Sequence, residues 1–534
     1  MSISSWLRNK KKRSSQKSPA WPQPGSPDAG TINTPGTNPS ESFKDRLQWF
    51  RQELADNSDL IVRTFCTNSG AGCAILYYRG MVDQKTIQED ILNGLFSLEA
   101  ADAAVLRRQV FDLKQLPVAD MKITANRSEG IMAILNGHVL LLIDGDQRMA
   151  DFPVCSFQKR AIEEAPNESV LRGPRESFIE SLEVNLTLIR RKIKTRKFKT
   201  ESMLIGTETQ TEVVIAYVQG TCKQELVDEV KKRLSSIQID SILGNTYLEE
   251  FIEDSPYSPF PQLQYTERPD VVVASVLEGR VAIIVDGTPI VLLAPVTLFM
   301  LLQAAEDYYQ RYVAASWIRW IRFIFLFLSL LLPSTYIAIT TFHTEMIPER
   351  LLISIAASRE VVPFPALIEA LIMEIAFEAL REAAVRIPKA IGQAVSIIGA
   401  LIIGTAAVEA GIVSAFMVII VSLTGIASFI VPHFDLGLAL RLLRFPIMIL
   451  AGVFGLFGIA CGMLLIYLHL INLNSFGTPY LTPVAPLNVS DLKDTLWRAP
   501  RWFMHKWPSM SDKQGKLRET NTRPWRNAEE GDTD

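Results

Sequence analysis

Between residues 321 and 471 one long apolar stretch follows another, whereas most of the charge lies before about residue 320. No single soluble core accommodates that division. The uncharged run 323–339 is long enough to cross the hydrocarbon of a bilayer, so a soluble portion must be joined to a membrane-inserted one. Composition agrees: 48% of residues are hydrophobic and 21% charged, with a mean hydropathy of +0.17. That is too apolar for a disordered chain. At 534 residues two or three domains fit, and a net charge of −3 gives no reason to expect a nucleic-acid partner.

The expected fold class is α+β/α, a cytosolic head of two tandem α/β subdomains followed by a polytopic α-helical membrane domain. Residues 1–40 are rich in Pro, Ser, Gly and Asn and read as a disordered arm. The arm's basic cluster either touches anionic headgroups or is simply solvated. No apolar segment follows that cluster, so it is not a cleavable signal and the head is expected in the cytosol. From residue 41 the pattern predicts a helix over 42–54, a strand over 74–78, a helix over 86–95 and a strand over 139–143. AILNGHVLLLIDG (133–145) aligns without gaps with SVLEGRVAIIVDG (275–287), and AILYYRG (74–80) matches VIAYVQG (214–220). Such pairs suggest tandem copies of one α/β unit, here 41–165 and 206–312. The linker region 166–205 carries a predicted helix over 177–194 with a basic face from Arg190 onward, read as a solvated or membrane-facing surface. Five cysteines without CxxC or histidine spacing read as buried free thiols.

The membrane domain is expected over 313–475, with about four to five spans. Candidates are 317–342, 391–408, 413–431 and 447–471. Trp317 and Trp320 beside Arg319 and Arg322 mark an interface, with the arginines on the cytosolic side. The stretch 366–388 carries Glu369, Glu374, Glu378, Arg381 and Glu382, four of which share one helical face. Either that face lines an ion pathway or the helix lies in the interface with its charges solvated. Gly392, Ser396, Ala400 and Gly404 form a small-residue stripe, and Gly455, Gly458 and Gly462 form another. Both suggest close helix packing, within the chain or between copies. Arg441 and Arg444 would prefer the cytosolic side, as would the basic tail. Four spans satisfy the tail and five satisfy the arginines, so charge does not decide the topology. Residues 476–534 read as a flexible polar tail. No catalytic, nucleotide or metal motif is present, so no enzyme, cofactor or metal is expected.

At this point the sequence resembles a known family. RGPRESFIESLEVNLTLIRRKIKT (172–195), TERPDVVVASVLEGRVAIIVDGTP (266–289), EDYY (306–309) and the long block 360–414 are similar to the signatures of the A subunit of spore germinant receptors, the GerA type. The likeness covers about 41–490. This chain has Ala415 where that family usually has Pro, and Ala384-Val385-Arg386-Ile387-Pro388 where it commonly has Gly-Ile-Arg-Leu-Pro. The resemblance implies a multi-pass protein of the spore inner membrane working with a transporter-like B subunit and a lipoprotein C subunit. It further implies a homo-oligomer that acts as a nutrient-gated cation channel and starts germination. A non-conducting scaffold of the same receptor is an alternative, and a secondary transporter another, although no inverted repeat is visible among the spans.

Overall fold

The computed structural model describes residues 42–156, 168, 170, 172–386, 399, 402–513 and 516–518. Helix α1 (Phe43–Glu53) starts at Ser42, whose side chain accepts from the amide of Lys44. It is followed by β1 (Leu60–Cys66), β2 (Gly72–Tyr78), β3 (Lys122–Thr124), α2 (Arg127–Leu135), β4 (Val139–Ile143) and β5 (Met149–Phe152). The strands form one antiparallel sheet in the order β1-β2-β4-β5-β3. Both of its faces are covered, which is why β4 reads as an unbroken apolar run. Val139, Leu141 and Ile143 pack beside Ile91 and Phe111, while Leu140 and Leu142 pack beside Phe50 and Ile134.

The second unit repeats that plan. Its elements are α3 (Leu182–Lys192), β6 (Phe198–Ile205), β7 (Thr211–Val218), α4 (Gln224–Ser235), α5 (Asn245–Ile252), β8 (Gln264–Thr266), α6 (Pro269–Leu277), β9 (Val281–Val285) and β10 (Val291–Ala294). Strand order is β6-β7-β9-β10-β8, the same as in the first sheet. The aligned sequence blocks fall on equivalent elements, β2 with β7 and α2–β4 with α6–β9. Gly137 and Gly279 end the two matched helices at φ +84° and +98°, a conformation that costs any residue with a Cβ.

Several expectations shift here. The helix expected over 177–194 begins only at Leu182, after Ser181 in extended backbone, while the amide of Phe178 donates to the carbonyl of Glu267 at 2.8 Å. Strand β6 lies inside the segment read as a linker. Arg190, placed by sequence on a solvated basic face, is buried. Its Nη2 donates to Asp59 at 2.6 Å, Asn57 at 2.8 Å and Thr200 at 3.0 Å, and its Nε donates to Asp59, so it joins the two α/β units. Cys73 and Cys222 are buried, and that burial pushes both thiols up to about 12, whereas Cys66 and Cys155 are exposed.

Among the described residues the longer helices that follow are α7 (Tyr312–Phe342), α8 (Glu349–Arg359), α9 (Ala366–Arg386), α10 (Ala415–Phe429) and α11 (Phe434–Asn472). Of the described helices, α7 and α11 are long and apolar enough to cross a membrane. Most of the expected span 391–408 lies outside the described residues. The expected span 447–471 belongs to α11, which breaks at Gly455 with φ +62° and ψ −141° and then turns back. A Cβ on Gly458 would sit 2.1 Å from the carbonyl oxygen of Leu450, and one on Gly462 would sit 3.4 Å from Ile447. Gly458 and Gly462 therefore face the earlier half of their own helix. Gly458→Ala is expected to force the two halves apart and lower the thermal midpoint of the detergent-solubilised protein, whereas Gly287→Ser, at a turn in the second α/β unit with no described neighbour at its Cβ, should lower it far less.

The ends of α11 fix its direction. His433 contacts Gln264 at 3.3 Å and His469 contacts Ser258 at 2.8 Å, so both ends meet the second α/β unit. Gly455 lies at the far end, against Phe342 and His343.

Of the expected flexible tail, residues 476–513 are packed on the protein, and 519–534 lie outside the described residues. The Ser475 hydroxyl donates to the carbonyl of Gln262 at 2.7 Å, Tyr480 donates to Pro261 at 2.9 Å, and the amide of Asp512 donates to Thr221 at 2.9 Å. Residues 473–513 thus form a strap over the second unit, held by apolar groups such as Leu473, Phe476 and Tyr480 that are buried against it. The strap also changes the reading of Arg319 and Arg322. Both are buried in protein instead of facing headgroups. Arg319 pairs with Asp307 at 3.1 Å and with Asp494 of the strap at 2.9 Å, while Arg322 pairs with Asp307 at 2.9 Å.

Candidate functional site

Helix α9 carries charge where its neighbours are apolar, and it lies between α7, α10 and α11. Its carboxylates are spaced so that Glu374 and Glu378 share a face, while Arg441 and Arg444 share a face of α11. Because α9 and α11 run antiparallel, the pairs register in reverse order. Glu374 meets Arg444 at 2.5 Å and Glu378 meets Arg441 at 3.1 Å. Arg444 also donates through Nε to the carbonyl of Ser329 on α7 at 2.8 Å, tying three helices together. Glu374 and Arg444 are essentially inaccessible, at 0% and 1% exposure.

Glu369 lies one to two turns before Glu374 and is equally buried. Its Oε1 accepts from the Ser414 amide at 2.6 Å and from the Ser414 hydroxyl at 2.5 Å, capping the start of α10. Arg359 approaches its other oxygen at 3.7 Å. Toward the opposite end Arg381 donates to Ser428 at 2.7 Å, stands 3.5 Å from Glu378 and lies over the Phe429 ring at 4.5 Å. Glu382 differs from the rest. It is exposed and, among the described residues, pairs with Arg386 at 2.7 Å.

The five sequence-selected charges therefore separate into two groups. Glu369, Glu374, Glu378 and Arg381 point into their own bundle, and Glu382 points out of it. Some buried polar atoms along these pairs have no hydrogen-bond partner among the described residues, including Glu374 Oε1 and Arg444 Nη2, and Glu369 Oε2 has only the long contact to Arg359. They give the interior of the bundle a polar, imperfectly satisfied track. The outward face of α9 is a separate feature: Ile368, Ile372, Ile375, Ala379, Glu382 and Arg386 are all exposed, at alternating spacings of four and three. That spacing puts all six on one face of the helix.

Sequence reasoning missed Arg441, Arg444 and Ser414 as members of the site. The arginines were counted as surface charges, although their spacing complements that of the two glutamates. Of the small-residue stripe, Gly392, Ser396 and Ala400 lie outside the described residues, and Gly404 has no neighbour among the described residues where a Cβ would stand. Among the described residues no cluster is suited to a metal ion.

The family model described as Bacillus/Clostridium GerA spore germination protein matches residues 48–510. The chain is 48% identical to an uncharacterized membrane protein, YfkQ, of Bacillus subtilis (strain 168), over 88% of this chain and 91% of that one. It is 43% identical to spore germination protein KA of the same strain, over 90% of this chain and 88% of that one. Among solved structures it is similar to the crystal structure of the N-terminal domain of the A subunit of the Bacillus megaterium spore germinant receptor GerK3. There the identity is 32%, with coverage of 47% of this chain and 94% of that one and a TM-score of 0.35.

Proposed function

Because this chain belongs to the Bacillus/Clostridium GerA spore germination protein family, we propose that it is a pore-forming A subunit of a germinant receptor in the spore inner membrane. In this reading the α/β head is cytosolic and the bundle crosses the bilayer. Helix α7 leaves the head, and the two halves of α11 go out and back, so that both ends of α11 and the strap lie on the head side. Arg441 and Arg444 stay inside the protein, paired, where the preference of loop arginines for the cytosol does not apply.

The observation that carries the channel reading is the exposed seam of α9. Copies packed around it would line a lumen with Ile368, Ile372 and Ile375, a hydrophobic constriction of the kind that gates by dewetting. Glu382 and Arg386 would form a charged ring at the head end. Glu369, Glu374, Glu378 and Arg381 would hold the lining helix from behind, as gating supports instead of lumen groups. The B and C subunits would supply the nutrient signal. A scaffold without conductance is favoured by one fact, that Glu374 is neutralised within a single chain.

Flux through proteoliposomes containing this chain with its B and C subunits separates the two. A channel predicts germinant-dependent cation flux that Glu382→Lys lowers several-fold and Ile375→Ser makes constitutive. Sealed vesicles holding confirmed oligomers, or flux indifferent to both substitutions, would leave the scaffold.

A further inference from the structure

A cavity of about 550 Å³ lies between the second α/β unit and the strap. Its volume is that of a small-molecule site. One wall is the segment after β10, with Phe299, Met300 and Gln303, and the other is the strap, with Phe503, Met504 and Met510. The acids at its edge are engaged. Asp494 is held by Arg319 at 2.9 Å, Asp491 accepts from the amide of Ser509 at 2.9 Å, and Glu278 faces Arg518 at 3.9 Å. The cations Lys493, Arg501 and Lys506 also line the cavity, and none has an ion-pair partner among the described residues. Lys493 rests 4.5 Å over the Phe503 ring. The buried hydroxyl of Thr482, in the same wall, has no hydrogen-bond partner among the described residues. Glu278, Asp491 and Asp494 offset part of this charge, but with Arg518 in the lining and Arg319 on Asp494 the cations outnumber the acids. Apolar walls, an excess of positive charge at the solvent-facing rim and one hydroxyl without a partner define the chemistry of an occupant.

We infer that this cavity binds a small amphiphilic anion, a carboxylate or phosphate ester carried on an apolar ring or short chain. Lys493 and Arg501 receive the anion, Thr482 donates a hydrogen bond, and the methionines and phenylalanines enclose the apolar part. Occupancy joins the two walls. The strap wall includes Asp494, which holds Arg319 at the base of α7 and whose carbonyl accepts from Gln303 at 2.6 Å. The ligand therefore fastens the strap to the first helix of the bundle. This reading stands whether or not the bundle conducts.

The full chain in phosphatidylcholine nanodiscs, titrated with phenyl phosphate, tests the idea by calorimetry and by the shift in thermal midpoint. Saturable binding is expected, with inorganic phosphate much weaker because it lacks the apolar part. Lys493→Gln/Arg501→Gln should weaken binding at least about tenfold. Met300→Trp, which fills the cavity without touching charge, should abolish it while the protein stays folded. The same stabilisation obtained only with nanodiscs containing phosphatidylglycerol, and lost in the double variant, would assign the anion to a lipid headgroup. Binding of phenyl phosphate in phosphatidylcholine would assign it to a soluble compound. Absence of binding in both arms, or binding that survives both variants, overturns the proposal.

Discussion

Glu374→Ala is expected to destabilise the helix bundle by about 3–5 kcal/mol, the usual cost of leaving one member of a buried ion pair behind. The substitution strands Arg444 at 1% exposure with, among the described residues, the carbonyl of Ser329 as its remaining hydrogen-bond partner. A guanidinium cannot shed its proton to escape, so the cost falls on the fold. Glu374→Gln retains an acceptor and should cost less. Glu374→Leu/Arg444→Met removes both charges and should regain most of the loss, since well-packed apolar replacements of buried pairs are often neutral or better. Glu382→Ala on the exposed face of the same helix should stay within about 0.5 kcal/mol of the parent. Thermal unfolding of the purified protein in one detergent, supported by the fraction eluting as a single species, measures all four. If Glu374→Ala is as stable as Glu382→Ala, the seam does not hold the bundle together. A supporting role for Glu374 behind the lining helix then fails with it.

Which features were legible in the sequence follows from how local their cause is. Strands β4 and β9 announce themselves because five consecutive buried residues leave an unbroken apolar run, and the glycine after each matched helix marks a left-handed turn. The edge strands β3 and β8 have three residues each and carry no such signal. The acidic face of α9 was visible, but its partners were not. Arg441 and Arg444 lie more than sixty residues away on α11. Their meaning depends on an antiparallel packing that no local pattern encodes. Rules for loop charge treat every arginine as solvated, which is why they gave contradictory topologies. Gly455 looked like one more small residue on a packing face, because a change of direction depends on a single φ angle. The strap has the composition of a loop, and only contact with Gln262, Pro261 and Thr221 orders it.

The joint between the two α/β units tests a different consequence of burial. Arg190→Ala should remove about 3–5 kcal/mol from the contact between the units, because it leaves Asp59 buried with little beyond the Thr200 hydroxyl, at 2.9 Å. Arg190→Lys is not expected to rescue it. A single ammonium cannot reach Asp59, Asn57 and Thr200 together, nor stack on Tyr78, whose ring centre lies 3.9 Å from the guanidinium. Each sheet keeps its own two-sided core, however, so the loss should appear as uncoupling and not as global collapse. Backbone contacts at the joint remain, with Ser58 donating to Thr200 at 2.8 Å and Thr200 donating to Asp56 at 3.0 Å. Hydrogen exchange on the full chain should then show faster exchange confined to residues 55–60 and to β6, while β4 and β9 stay protected. Exchange that accelerates throughout both sheets would mean that the units cannot stand without the joint. Exchange that does not change would mean that the backbone contacts suffice. Only the confined pattern fits a joint in which Arg190 carries a large share, beside Lys199, which donates to the carbonyl of Ala55 at 2.6 Å, and Arg196, which pairs with Glu53 at 2.9 Å. Such a joint lets the relative placement of the two units adjust without unfolding either one.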